Sequence, residues 1–358
     1  MDDRIRVGIA GLGRSGWNIH AKTFEKLNDK YRVIAVSDPI DERRKEAVDK
    51  FGCRAYSDFK SLIMDKDVDL IVVATPSYLH ARHSIEALEA GKNVVCEKPM
   101  ATNLAEADMM IKVAKKTGKI LTIFQNSLFA PDFLKIKEII DSGILGRIVL
   151  IKIYNQSFGR RWDWQTLRKY GGGELRNNGV HLIIQALSFI GEKDPEVFCD
   201  LQRTLTLGDA EDHVKIILKA PNSPLIDIEV TMACAYPQNK WLIMGTQGGL
   251  TGTSSTLKWK YFDPKMLPPR KVETKPTPDR SYNVEEIPWI EKTWNIEEGF
   301  TKSRINFYNI LYKTLKYNAP PPVKPEEVRR VMKIIEECYK QCGIPVSYTH
   351  LRSPRDRG

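Results

Sequence analysis

Long apolar segments are missing from this sequence. None of its stretches approaches the roughly 18 consecutive apolar residues of a membrane-spanning helix. The opening residues, Met1 to Arg4, lead straight into a strand-like run without the pattern of a secretory signal peptide. We therefore expect no membrane association and a cytoplasmic location.

Cysteine is also scarce, with six residues scattered through 358 and mostly set within apolar segments. Cys338 and Cys342 are four residues apart on a predicted helix, but no group of Cys and His residues completes a metal site. Buried thiols in a reducing compartment explain this pattern better than disulfides or a metal. We predict free thiols and no metal.

A continuous basic stripe is absent although the formal net charge is +10. The densest basic region, 258–280, is interrupted by Asp263, Glu273 and Asp279. A solvated surface or an anionic small substrate explains the charge more simply than nucleic acid does. We therefore expect no nucleic-acid partner.

The first part of the chain, residues 1–125, alternates short apolar runs with helical patterns. A chain of 358 residues, 42% hydrophobic and 28% charged, is long enough for two globular domains. Strand–helix alternation at this spacing predicts a Rossmann domain with a doubly wound parallel sheet. The predicted strands of this domain are 5–10, 33–37, 70–74, 93–96 and 120–124.

The pattern changes in residues 126–345, where strand signals follow one another. The run 226–232 alternates apolar and polar residues, as expected for a sheet with one face in water. We predict an α+β domain with a mostly antiparallel open sheet and helices on one face, together with an extended excursion at 264–278. The predicted helices are 131–142 and 171–191, and the predicted strands are 148–154, 197–207, 214–218, 226–232 and 241–244.

The last residues, 346–358, form a basic segment interrupted by proline and without periodicity. The segment 347–351 resembles the translated end of a sequencing adapter. We expect this tail not to be native, and it carries no functional argument.

A glycine-rich turn ends the first predicted strand and opens a helix, which is the context that a dinucleotide-binding motif requires. Its first glycine allows a tight turn, its second lets the backbone approach a pyrophosphate, and its third packs the helix on the sheet. The residues predicted to bind the cofactor here are Gly11, Leu12, Gly13, Arg14, Ser15 and Gly16.

The end of the second strand carries Asp38, whose carboxylate can accept hydrogen bonds from both ribose hydroxyls of NAD. The same carboxylate would repel the 2′-phosphate of NADP. Because Arg43 and Arg44 follow closely and could reverse that preference, NAD is favoured and NADP remains possible.

Two further strand ends point to the same edge of the sheet, where ligands of such sheets bind. Thr75 and Pro76 are predicted to line the nicotinamide side, and His80 either joins them or only begins its helix. After the next strand, Glu97 and Lys98 are predicted to meet the cofactor. A lysine placed at this edge favours redox chemistry on an alcohol.

The sequence at these positions resembles the glucose–fructose oxidoreductase / inositol dehydrogenase / MocA family over nearly its whole length, to about residue 345. The motifs that carry the resemblance are Thr75-Pro76, the run 91–99 ending in Glu97-Lys98-Pro99, the segment 124–126 with Pro131, the triplet 171–173, and Gly179-x-His181. The resemblance implies an NAD- or NADP-dependent oxidoreductase of sugars and cyclitols, with Lys98 as the active-site lysine and a possible cis bond before Pro99. It also implies a homodimer or homotetramer formed through the C-terminal sheet.

Hydride removal from a secondary alcohol requires loss of the hydroxyl proton. The ammonium of Lys98 would stabilise the negative charge that develops on that oxygen, and His181 would take the proton. Relatives commonly have an aspartate four residues before this histidine, whereas this chain has Asn177. Since an amide is no base at neutral pH, Asn177 is predicted to position substrate, with His181 or Lys98 carrying the proton. A helix-start asparagine beside a structural histidine is the alternative.

The remaining predicted substrate residues are Asn126, Trp162 and Trp164. Tryptophan faces suit sugar rings, although loop tryptophans also anchor in cores or at subunit contacts. We expect oxidation or reduction of a sugar, cyclitol or glycoside. The alternatives are redox-neutral glycoside cleavage through transient oxidation, and a non-catalytic nucleotide-binding regulator.

Overall fold

Two sheets organise the part of the chain that the computed structural model describes, residues 3–296 and 301–345. The predicted tail, 346–358, lies outside the described residues. The first sheet has the strand order β3-β2-β1-β4-β5-β6, and all of its pairings are parallel. Its strands are β1 Ile5–Ala10, β2 Tyr31–Ser37, β3 Arg54–Tyr56, β4 Leu70–Val73, β5 Asn93–Cys96 and β6 Leu121–Ile123.

This order confirms the predicted doubly wound sheet, and the order reverses between β1 and β4, where such folds bind ligands. The segment before the first helix is a π-helical turn, Gly16–Ala21. The side chains of Asp58 and Asn103 cap the third and fifth helices by accepting backbone N–H groups. The helices of this part are α1 Lys22–Lys26, α2 Asp41–Phe51, α3 Phe59–Met64, α4 His80–Glu89 and α5 Leu104–Thr117.

The second sheet has the order β14-β13-β12-β11-β7-β10-β9-β8 and is antiparallel except for the pairing of β7 with β10. It therefore has the mostly antiparallel character predicted from the alternating run. Its strands are β7 Ile148–Gln156, β8 Glu196–Gln202, β9 His213–Lys219, β10 Leu225–Thr231, β11 Trp241–Gly245, β12 Gly248–Gly252, β13 Thr256–Tyr261 and β14 Ile290–Asn295.

Two features of this sheet differ from the prediction. The strands β12, β13 and β14 were not predicted, because β12 is rich in glycine and β13 and β14 each carry two charged residues. The strand β8 ends at Gln202 rather than at residue 207. Beyond it, the carboxylate of Asp212 accepts the N–H groups of residues 204–206 and holds them in a loop.

The helices of the second part are α6 Pro131–Asp141, α7 Val180–Ile190, α8 Thr301–Tyr317 and α9 Pro325–Gln341. Alternate residues of β10, including Ile226 and Ile228, are buried on the helix-covered face of the sheet. The opposite face exposes Phe198 and Met244. Helix α8 also reaches the first sheet, because the Tyr31 hydroxyl donates to the Tyr308 carbonyl at 2.7 Å.

The glycine triplet forms a turn and not the first turn of a helix, which corrects the predicted start at 171. Gly171 and Gly173 have φ angles of +72° and +110°, in the region that favours glycine. Helical structure begins with a π-helical turn, Leu175–Gly179, which continues into α7.

The segment between β13 and β14 is irregular and exposed apart from a short 3₁₀ turn, Pro264–Met266, as expected of an extended excursion. Among the described helices, none is both long enough and apolar enough to cross a bilayer.

Candidate active site

The glycine turn follows β1 at the carboxyl edge of the first sheet. Gly11 has φ +88°, and a Cβ atom there would lie 2.6 Å from the carbonyl oxygen of Ala74, so only glycine fits. Gly13 has no atom within 4 Å of its Cβ direction and faces open space. The backbone at Gly13 is therefore open to close approach by a phosphate, as the motif requires.

A cavity of about 680 Å³ runs along this edge, and we call it the edge cavity. Its size falls within the roughly 300–1,000 Å³ that small-molecule sites occupy. Most residues predicted to bind the cofactor line this cavity, whereas Leu12 and Gly16 do not. The predicted residues that line it are Gly11, Gly13, Arg14, Ser15, Asp38, Thr75, Pro76, His80, Glu97 and Lys98.

Asp38 is buried at the end of β2 and is held by the glycine turn. One carboxylate oxygen accepts the N–H of Leu12 at 2.7 Å, and the other accepts the N–H of Ile40 at 2.9 Å. The half-exposed Arg43 guanidinium lies 3.5 Å from the first oxygen. A carboxylate has about four acceptor positions, so Asp38 keeps capacity for ribose hydroxyls.

The end of β4 places two histidines beside the edge cavity. His80 begins α4 and is also buried against the cavity, so the two predicted roles are not exclusive. Its Nδ1 lies 2.7 Å from the Pro99 carbonyl and its Nε2 lies 2.8 Å from the Thr75 carbonyl. Burial lowers the pKa of His80, while the two carbonyls oppose that shift.

His83 was not predicted as a site residue. Its ring stacks on Phe59 at a centroid distance of 4.0 Å, and its Nδ1 lies 3.1 Å from the Thr75 hydroxyl. Burial lowers the pKa of His83 to about 4, so it is neutral at pH 7. The pair forms a flat aromatic part of the cavity wall.

A buried hydrogen-bonded chain supports the loop that carries Lys98, whose bond to Pro99 is cis. The Tyr308 hydroxyl lies 2.7 Å from His20 Nδ1, and His20 Nε2 lies 3.0 Å from one oxygen of Glu97. The other Glu97 oxygen accepts the N–H of Lys98 at 3.0 Å. With a proton on Nε2, His20 donates to Glu97, and its Nδ1 shares the other hydrogen bond with the Tyr308 hydroxyl.

Glu97 is ionised in this chain. Burial by itself would raise the pKa of Glu97, but the hydrogen bond and charge of His20, together with the charge of Lys98, lower it to about 2. Sequence reasoning missed His20 and Tyr308, which lie 288 residues apart in the chain and meet only in the folded protein.

Lys98 points from this loop toward Asn177. Its ammonium donates to the Asn177 carbonyl at 2.7 Å and to the side-chain oxygen of Asn177 at 3.2 Å. Burial lowers the pKa of Lys98, while the neighbouring Glu97 carboxylate opposes that shift.

His181 lies one turn further along the same helical segment. Its Nδ1 lies 3.1 Å from Oε1 of Gln125, so a proton on Nδ1 is held by that acceptor and the Nε2 lone pair is left available. Burial, followed by the charge of Lys98, lowers the pKa of His181 to about 3. The imidazole is therefore neutral at pH 7 and can accept a proton only weakly.

A second cavity of about 410 Å³, the reaction cavity, adjoins the edge cavity. It brings together the three predicted catalytic residues, Lys98, Asn177 and His181, with the predicted substrate residue Asn126. Arg14, Glu97 and Lys98 line both cavities, so the two are continuous. A substrate in the reaction cavity would thus lie against both Lys98 and the cofactor site.

The two predicted substrate tryptophans are not brought to the reaction cavity. Trp162 is 76% exposed, and Trp164 lines the edge cavity instead. Their neighbour Arg161 does reach the reaction cavity, where its guanidinium lies 3.2 Å from Glu174. Glu174 also accepts a hydrogen bond from the side-chain amide of Asn178. The sequence did not predict Glu174 as a site residue, because its contacts with Arg161 and Asn178 depend on the turn formed by the glycine triplet.

Within residues 3–296 and 301–345, no group of three or more His, Cys, Asp or Glu side chains is arranged to hold a metal ion. The reaction cavity is lined by Lys98, His181 and Glu97 together with amide and guanidinium side chains.

Comparison with known proteins agrees with this architecture. The model of an oxidoreductase family with an NAD-binding Rossmann fold matches residues 5–125, and the model of the GFO/IDH/MocA C-terminal domain matches residues 133–251. The chain is 33% identical over 250 residues to a protein named myo-inositol 2-dehydrogenase from Thermotoga maritima, covering 68% of this chain and 74% of the relative.

Two further similarities span nearly the full length. The chain is 27% identical to the oxidoreductase YdgJ of Escherichia coli, covering 94% of this chain and 96% of the relative. The crystal structure of an NAD-binding protein from Listeria innocua superimposes with a TM-score of 0.77 at 26% identity, covering 96% of this chain and 99% of that one.

Proposed function

Because the chain belongs to the GFO/IDH/MocA family of NAD-binding oxidoreductases, we propose that it transfers hydride between NAD and a secondary hydroxyl of a sugar, cyclitol or glycoside. The observation that carries the proposal is the position of Lys98. Its ammonium lies in a polar cavity continuous with the edge cavity, beside a neutral histidine.

The edge cavity fits NAD. Gly11 and Gly13 leave the backbone open to a pyrophosphate, and Asp38 offers carboxylate oxygens at the end of β2. The negative charge of Asp38 favours a free 2′-hydroxyl over a 2′-phosphate, while the half-exposed Arg43 guanidinium, 3.5 Å from that carboxylate, opposes this preference. When bound, the nicotinamide supplies the hydride acceptor or donor.

In the oxidation direction, Lys98 stabilises the substrate oxygen as it loses its proton. The ammonium is only partly buried, but water screens it less than in bulk solution, so its field acts more strongly on a developing alkoxide. The buried Glu97 carboxylate favours the charged form of Lys98 and thereby maintains this role.

Because Lys98 makes the substrate hydroxyl more acidic, the weakly basic His181 can receive its proton on Nε2 and return it in the reverse direction. Gln125 holds Nδ1 and so keeps the ring in one orientation. Asn177 positions Lys98 through two oxygens and cannot itself act as a base. Relatives that carry a carboxylate at this position would hold the lysine more tightly in its charged form.

The exposed face of the second sheet supports a proposal about assembly. Phe198 is 63% exposed and Met244 is 42% exposed on the face opposite the described helices. We infer that a second copy of the chain covers this face, as the sequence resemblance leads us to expect. A dimer or tetramer mass in light scattering, reduced to monomer by Phe198→Glu, would support this, and a monomeric wild type would refute it.

The function is tested by following the reduced nicotinamide absorbance while a panel of sugars, cyclitols and glycosides is offered with NAD. Net NADH formation that requires Lys98 supports the proposal. Bond cleavage of a glycoside without net NADH would instead indicate redox-neutral chemistry, and cofactor binding with no turnover of any compound would indicate a regulatory protein.

A further inference from the structure

A third cavity of about 470 Å³ opens beyond His181, on the side away from the edge cavity, and we call it the distal cavity. It shares Asn126, Asn178 and His181 with the reaction cavity, so the two spaces meet at the proposed proton acceptor. Its size alone suits a second small-molecule group. A substrate held against Lys98 would therefore have room to continue past His181.

The wall of the distal cavity is rich in side-chain amides. Among the described residues, the amides of Asn126, Asn155 and Gln238 have no hydrogen-bond partner. Gln185 is 1% exposed and forms part of the same wall, where its Nε2 donates to the Ser127 carbonyl at 2.8 Å. Its Oε1 is buried and has no partner in the described structure.

The distal cavity has no free charge. Lys240 is its one charged lining residue in the described chain, and its ammonium lies 2.8 Å from the buried Asp132 carboxylate. That carboxylate also accepts the indole N–H of Trp241 at 2.9 Å. A phosphate or carboxylate would find no unpaired cation here, and an apolar group would leave the amides without partners.

We propose that the distal cavity is a subsite for a second, neutral, polyhydroxylated ring, so that the substrate is a glycoside or disaccharide whose reactive ring lies at Lys98. Amides donate and accept at once, which matches hydroxyl groups that do the same. This proposal rests on the proposed hydride transfer and specifies the class of substrate.

The test compares kcat/KM for D-glucose and D-galactose with that for cellobiose, maltose, lactose and sucrose, using NAD and the full chain. We expect at least one disaccharide to exceed its constituent monosaccharide by about tenfold, the effect of one or two well-placed hydrogen bonds. Asn155→Trp, which fills the cavity, and Gln238→Ala, which removes an amide, should each lower this ratio at least about fivefold.

The matched control is Asn239→Ala, since Asn239 follows Gln238 but hydrogen-bonds Thr251 and does not line the cavity. It should leave the ratio unchanged. Equal ratios in wild type, Asn155→Trp and Gln238→Ala would overturn the subsite while leaving hydride transfer intact, as would a preference for monosaccharides.

If no compound is oxidised, the proposed function fails and the subsite is judged by binding alone. Saturation-transfer NMR with the NADH-loaded protein and the same four disaccharides gives this readout. Binding that Asn155→Trp abolishes and Asn239→Ala preserves supports the subsite, and absence of binding by all four overturns it.

Discussion

Lys98 and Asn177 are joined by two hydrogen bonds, of 2.7 Å to the backbone carbonyl and 3.2 Å to the side-chain oxygen. Both acceptors are neutral, so they orient the ammonium without pairing its charge. The positive charge of Lys98 is compensated by the carboxylate of Glu97, the residue before it. Glu97 is ionised and hydrogen-bonded with His20. The charged form of Lys98, on which the proposed chemistry depends, is therefore favoured mainly by the Glu97 carboxylate.

Replacing Lys98 with alanine should lower kcat/KM by about 10²- to 10³-fold, because the alkoxide loses its main stabilising charge. The measurement is initial-rate absorbance of NADH at saturating NAD, with circular dichroism to verify folding. Lys115→Ala serves as the control, since Lys115 is exposed and pairs with Glu326 on the surface. Wild-type turnover in Lys98→Ala would refute the mechanism.

Replacing Asn177 with aspartate should raise the pKa of His181 from its value of about 3, and that of Lys98 as well, because a nearby carboxylate favours both cations. His181 accepts a proton only when neutral, so activity is lost as pH falls through its pKa. The acid limb of kcat/KM should therefore move to higher pH by about one unit or more.

A profile measured from about pH 2 to 8 covers this shift. Asn222→Asp, an exposed change between β9 and β10 at a residue that lines none of the three cavities, should leave the acid limb in place. An unaltered acid limb in Asn177→Asp would show that His181 is not the proton acceptor.

Replacing His20 with alanine should lower the free energy of unfolding at pH 7 by about 3–5 kcal/mol, because Glu97 is left as an unpaired buried carboxylate. Urea unfolding measures the change. The double variant His20→Ala/Glu97→Gln removes that charge and should recover part of the loss. Equal destabilisation in the single and double variants would mean that only the packing of the ring matters.

The pH dependence of this effect has a defined direction. The folded-state pKa of Glu97 is about 2, below its ordinary value of 4.5. The stability that ionised Glu97 contributes is therefore fully present above pH 4.5 and is lost as the pH falls toward 2. The difference in the free energy of unfolding between wild type and His20→Ala should become smaller over that pH range.

Replacing Asp38 with serine should raise kcat/KM with NADP relative to NAD by about tenfold or more, because the charge that repels a 2′-phosphate is removed and Arg43 remains. Steady-state rates with each cofactor give the ratio. Asp49→Ser removes an exposed carboxylate from the same helix, α2, and is the control. An unchanged ratio of kcat/KM for NADP and NAD in Asp38→Ser would show that Asp38 does not determine the cofactor preference.

Local patterns predicted the first sheet, the glycine turn and the loop that carries Lys98. Five of its six strands are short apolar runs that are mostly buried, and each strand end falls at the same edge because the strands are parallel. The sixth, β3, was not predicted, because Arg54–Tyr56 is short, polar and largely exposed. The strands β12, β13 and β14 were not predicted because their sequences contain glycine and charged residues. Backbone pairing with neighbouring strands, rather than the pattern of their own side chains, makes these segments extended.

The residues that complete the site were decided by contacts between distant parts of the chain. Lys98 and Asn177 are 79 positions apart, and His20 and Tyr308 are 288 apart. Backbone preferences and hydrophobic periodicity act over a few residues, so they locate a turn or a strand end from the sequence. Which side chain faces Lys98, and how far burial lowers the pKa of His181, depend on how the helices pack on both sheets, and only the tertiary structure settles that.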